Sequence, residues 1–199
     1  KKKISLDRFL LLKGWSQGIC IAMIAMSYGI LSTYIAIYSK DILNITTGTG
    51  TFFMLFAFGL ILSRFVGVRA LSKGFAVRNA TYGVIIVAIG YLIFAFWKSL
   101  YGYYISAVII GSGQASMYPA VQTMFLNMTT NEKRGTANAT ILTSWDLGVG
   151  LGIIGGGYVA EHFGGYNIAF ILSAVVSLIS VIFFLSYAKN AYLKNRMRS

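Results

Sequence analysis

The placement of charge constrains this chain more than any other property. No Asp, Glu, Lys or Arg occurs over 14–39, 42–63, 79–97, 99–131 or 162–188, and 135–160 is broken only by Asp146. Each gap approaches or exceeds the roughly 20 residues with which a helix crosses a bilayer core. Trimmed to their apolar centres, the gaps predict transmembrane helices over about 15–38, 50–69, 79–97, 103–127, 136–160 and 166–187. Helix is the form expected, because backbone groups in hydrocarbon must satisfy one another within the segment. The predicted organisation is a basic cytoplasmic linker over 1–14, a six-helix bundle over 15–187 and a basic cytoplasmic tail over 188–199.

Seventeen basic residues against five acidic ones would point a soluble protein toward nucleic acid. Topology accounts for them instead. Lys1, Lys2, Lys3, Arg8 and Lys13 precede the first span, Arg64, Arg69, Lys73 and Arg78 surround the turn after the second, and Lys133 and Arg134 precede the fifth. With Lys189, Lys194, Arg196 and Arg198 they make 15 of the 17 on one face, leaving Lys40 and Lys98 on the other. The positive-inside rule then puts both termini in the cytoplasm and the chain in the cell (inner) membrane, with no nucleic-acid partner. Tyr34, Tyr38, Trp97 and Tyr101 fall near the outer boundary and Trp15, Tyr187 and Tyr192 near the inner one.

The composition, 57% hydrophobic and 11% charged, excludes a disordered chain. The single cysteine, Cys20, excludes a disulfide scaffold. No cluster of His, Cys and carboxylate offers a metal site, and no cofactor is implied.

Polar residues inside the spans carry the functional signal. Gln114, Tyr118 and Gln122 recur at i, i+4 and i+8 and share one helix face. Amides in hydrocarbon are costly, so they serve interhelical hydrogen bonding or line a watery cavity. Pro119, the one proline, predicts a kink in the same helix. Gly148, Gly152 and Gly156 lie four apart in the fifth span, a spacing that lets helices approach closely. That stripe fits static packing or helices that slide. Asp146 lies about ten residues into the same span, with Trp145 beside it and no basic residue expected at comparable depth. An ionised carboxylate there costs at least about 3 kcal/mol, so it is protonated, paired outside this chain or in water. It fits proton coupling or substrate contact, or else a structural hydrogen bond. Gln17 is a further candidate near the inner end of the first span.

The segment SRFVGVRALSKGFAVRN resembles the cytoplasmic loop motif of the major facilitator superfamily, a Gly-x-x-x-Asp-Arg-x-Gly-Arg-Arg string. Arg64, Gly67, Lys73, Gly74 and Arg78 fit it, while Leu71 or Ser72 stands in place of its acid. Gly157, Glu161 and Gly164 repeat the spacing weakly across the fifth loop. The stretch from Gln114 to Gly157 resembles the fourth and fifth helices of the C-terminal half of bacterial drug and sugar exporters. There Arg134 and Gly135 precede Asn138 and an Asp-Leu-Gly-x-Gly run. The glycines mirror the family's antiporter motif, with Ile153 where its proline usually stands.

The resemblance implies an all-α membrane protein, six transmembrane helices forming a 3+3 inverted repeat, as half of a twelve-helix fold. It implies a secondary active transporter half that moves a small organic solute by alternating access, as proton-coupled efflux. Gln114, Tyr118, Gln122, Trp145 and Gln17 would line the cavity, with Asp146 as coupling group. Arg64, Gly67, Gly74, Arg78, Pro119, Gly148, Gly152 and Gly156 would form the conformational loop and hinge. The partners implied are the solute, protons, the lipid bilayer and a missing N-terminal six-helix half, which the opening on Lys1 rather than Met also suits. The alternative is a self-assembling six-helix channel or scaffold without a transport cycle. An intramembrane enzyme is not expected: Gly111-Ser112-Gly113 lacks a complete Gly-x-Ser-Gly, and the sole histidine, His162, lies in an outer loop.

Overall fold

The computed structural model describes residues 10–41, 43–45, 49–72 and 74–197, and of 66–72 the backbone alone. Six long helices fill it, one for each predicted span. They are α1 (Trp15–Asp41), α2 (Gly50–Ser72), α3 (Ala76–Phe96), α4 (Leu100–Asn127), α5 (Arg134–His162) and α6 (Tyr166–Phe183). Single 3-10 turns, Leu12–Gly14 and Asn131–Lys133, lead into α1 and α5. A π-helical turn, Phe184–Ala188, carries α6 into a short α7 (Lys189–Asn195). The helical rod therefore continues eight residues past the span expected to end at 187. Of the predicted linker and tail, residues 1–9 and 198–199 lie outside the described residues.

Local chemistry sets the ends. Ser99 caps α4, its Oγ accepting the Gly102 N–H at 3.1 Å. Between α5 and α6 the chain turns through Gly164 at φ 108° and Gly165 at φ 89°, a region that favours glycine.

Four helical runs are long and apolar enough to cross a membrane: Leu12–Asp41, Ala76–Phe96, Asn131–His162 and Tyr166–Asn195. In α2 the shorter segment Gly50–Phe65 is apolar. α4, at 28 residues, has the length but is diluted by Ser, Gly, Gln and Tyr. The packing explains why it tolerates them. α4 lies along both α2 and α3, and its Ser106, Gln114 and Ser116 are buried against protein. The exterior is apolar, with Phe58 and Phe65 of α2, Ile154 of α5 and Ile182 of α6 all exposed, as hydrocarbon demands of an integral membrane protein.

α1 packs along α5 and α6, and α3 meets α6. Glycine sets the closest approaches. A Cβ at Gly148 or Gly152 would strike the carbonyl of Ala22 or Met26 on α1, and one at Gly29 that of Val149 on α5. Between α2 and α4 the same happens at Gly59, against Val108, and at Gly111, against Phe56. Serines reinforce the α1–α6 seam, Ser27 Oγ donating to the Ser173 carbonyl at 2.8 Å. At the end of the bundle carrying the α1–α2 and α3–α4 turns, Tyr38, Phe94 and Phe170 lock rings at 4.6–5.4 Å.

Candidate functional site

Where α2 and α5 flank α4, a cavity of about 310 Å³ opens. α2 supplies Leu60 and Arg64, α4 supplies Gln114, Ala115, Tyr118 and Pro119, and α5 supplies Leu142 and Trp145. The i, i+4 spacing of Gln114 and Tyr118 puts both on the α4 face that looks toward α5. Gln114 is 8% exposed, and its Nε2 finds no hydrogen-bond partner among the described residues. A buried amide left unpaired costs about 1–3 kcal/mol unless water or a ligand completes it. Tyr118 stands edge-on to Trp145, centroids 5.8 Å apart at 90°. Tyr28 of α1 backs Trp145 at 5.6 Å. Pro119 has no N–H to give the Ala115 carbonyl, which belongs to the cavity wall, and its own carbonyl takes the Thr123 hydroxyl at 2.8 Å.

The third residue of the polar face lies elsewhere. Gln122 donates from Nε2 to Asn138 Oδ1 at 3.3 Å, tying α4 to α5 beside the cavity. Asp146 follows Trp145 but is exposed on the open face of α5, between exposed Leu142 and Leu147. It has no hydrogen bond or ion pair among the described residues, and its charge reaches Tyr118. Gln17 is fully buried away from the cavity, its Nε2 donating to the Ala188 carbonyl at 2.8 Å.

Of the residues assigned to a loop and hinge, Gly148, Gly152 and Gly156 are buried on α5 against α1. Gly74 turns the chain after α2 at φ 78°, with open space where a Cβ would be. Arg78 stacks over the Phe75 ring at 4.6 Å. Gly67 lies within α2, in the part described by backbone alone, and Lys73 lies outside the described residues. Arg64 differs most from expectation. It was read with the loop motif, and it lines the same cavity as Trp145. Its charge was grouped with Arg69 and Arg78 by proximity in sequence. The structure carries α2 on to Ser72, eight residues or about 12 Å of helix beyond it. Tyr28, Leu60 and Leu142 also join the site without a sequence signal, since aromatic and apolar residues fill every span.

A sequence model of the Major Facilitator Superfamily matches residues 17–196. Among solved structures, a peptide transporter POT crystallised in complex with sulfate superposes with a TM-score of 0.76 at 18% identity, covering 89% of this chain and 38% of that one. The POT family transporter PepTSo, solved in meso, gives 0.76 at 14%, covering 94% of this chain and 38% of that one. The chain thus spans 38% of the length of each, and at these identities the likeness is one of fold. No curated protein matches it.

Proposed function

The chain belongs to the Major Facilitator Superfamily, and from that premise we propose that it is one six-helix half of a secondary active transporter. In this reading it moves a small organic solute by alternating access, as proton-coupled efflux, together with a second six-helix half in the cell membrane. Membership makes it a membrane transporter rather than an enzyme.

The cavity carries the reading. Its volume, about 310 Å³, suits a small solute. Arg64, Gln114, the Tyr118 hydroxyl and the Trp145 indole supply the polar groups on an otherwise apolar wall. The wall is divided between α4 and α5, which touch each other far less than each touches its main partners. Relative movement of such helices reshapes the cavity without breaking the core. Proton coupling is assigned to Asp146. It lies twelve residues, about 18 Å of helix, into α5, exposed and without an ion pair among the described residues. Opening to one side and then the other would change which side that carboxylate exchanges protons with.

The pairing of helices supports a 3+3 inverted repeat. Exchange of α1 with α4, α2 with α5 and α3 with α6 turns the α1–α5 contact into α4–α2 and the α1–α6 contact into α4–α3. Glycines make the close approaches in both members of the first pair. The 15-to-2 division of basic residues supports cytoplasmic termini.

Reconstitution of the complete transporter tests the coupling. Asp146→Asn is expected to remove solute-evoked proton movement, read with a trapped pH-sensitive dye, by at least about tenfold while solute exchange persists. Unchanged pH dependence and rate would exclude Asp146 as the coupling group.

A further inference from the structure

We infer that the solute bound in this cavity carries an anionic group and that the Arg64 guanidinium engages it; the inference rests on the cavity being the solute site. Arg64 lines the cavity with its side chain exposed and has no hydrogen bond or ion pair among the described residues. It stands at the end of the apolar segment Gly50–Phe65, eight residues before the helix end at Ser72. A guanidinium offers five N–H donors in a planar fork, accepts nothing and stays protonated. Beside an apolar wall, an anionic acceptor offsets the cost of holding that charge.

The other polar groups of the wall are uncharged. The Trp145 indole nitrogen donates only, and Tyr118 and Gln114 bring a hydroxyl and an amide. No Asp or Glu is among the described lining residues; Asp146 lies outside them, and its charge reaches the wall only at Tyr118. Among the described lining residues Arg64 is thus the one charged group. Around it Leu60, Leu142 and the perpendicular rings of Tyr118 and Trp145 make the remainder apolar. The complementary ligand has a carboxylate, sulfonate or phosphate at one end and a flat, apolar body. A carboxylate fits the fork in bidentate fashion.

Three probes of one size and ring separate charge from shape: benzoate, benzamide and benzylamine. In the complete transporter, Trp15→Phe and Trp97→Phe, with every tryptophan of the second half likewise replaced, leave Trp145 as the fluorescent reporter in the cavity wall. Titration of the purified protein at neutral pH is expected to give a benzoate Kd at least about tenfold below those of benzamide and benzylamine. Arg64→Gln should abolish that preference and Arg64→Lys retain part of it, as a point charge without the fork does. Size-exclusion profiles confirm that each variant is folded. If benzamide or benzylamine binds as tightly as benzoate, or Arg64→Gln leaves benzoate binding intact, the anionic assignment is wrong and the solute cavity stands. Should none of the three bind, the cavity is not the solute site and both readings fall together.

Discussion

Two glycines two residues apart in α5 stand in opposite surroundings. A Cβ at Gly152 would strike the Met26 carbonyl, backbone that only a shift of α1 relieves, whereas one at Gly150 meets nothing within 4 Å. Overpacking of this kind costs about 1–3 kcal/mol, while Ala is the better helix former than Gly by about 1 kcal/mol. Gly152→Ala is therefore expected to lower the unfolding midpoint in detergent, and Gly150→Ala to keep or raise it. Equal losses at both sites would count against close approach as the function of the stripe. At this scale the sequence reports polarity well and position poorly. Gln114, Tyr118 and Trp145 stood out because polar and amphipathic groups are conspicuous in an apolar span, and they do meet at one cavity. Gln17 stood out for the same reason, yet its amide is spent on a backbone carbonyl 171 residues away. No local pattern distinguishes an amide that faces a cavity from one that completes a distant hydrogen bond.

That carbonyl belongs to an element with an irregular ladder. In the π-helical turn Phe184–Ala188 the backbone bonds are displaced from their α-helical register, and the Ala188 carbonyl takes the Gln17 amide at 2.8 Å. Gln17→Leu fills similar space but removes this tie between α1 and the turn, at a cost of about 0.5–1.5 kcal/mol. A fall in the unfolding midpoint follows, with Gln17→Glu less damaging than Leu where its protonated carboxyl donates the same bond. Thermal unfolding followed by circular dichroism checks both; full stability in Gln17→Leu would show that the tie is idle. The extents of the helices were legible from charge because membrane-spanning segments exclude it. The continuation to Asn195 was not, since Lys189 and Lys194 mark where hydrocarbon is expected to end and say nothing of where helix ends. Hydropathy failed at α4 for the reverse reason. Its polar groups answer to α2 and α3 rather than to lipid, so a helix poor in apolar residues still sits inside the bundle.

For the whole molecule, which helices become neighbours was the least legible property. The pairing of α1 with α5 and of α4 with α2 joins segments far apart in sequence, and glycine stripes announce close packing without naming the partner. Charge placement, by contrast, bears directly on orientation, because Lys and Arg resist translocation more than any other residues do. The turn at Lys98, between α3 and α4, and the segment at Arg196, after α7, lie at opposite ends of an odd number of spans. The division read from the sequence groups 15 of the 17 basic residues with Arg196. The native thiol, Cys20, is fully buried against Ser180, so a Cys20→Ser background is a mild change that leaves no competing label. In that background a membrane-impermeant maleimide is expected to label Lys98→Cys in intact cells and Arg196→Cys only after permeabilisation. Labelling of Arg196→Cys in intact cells would reverse the orientation. It would then also reverse the side from which the Asp146 face and the Arg64 cavity must be loaded for export.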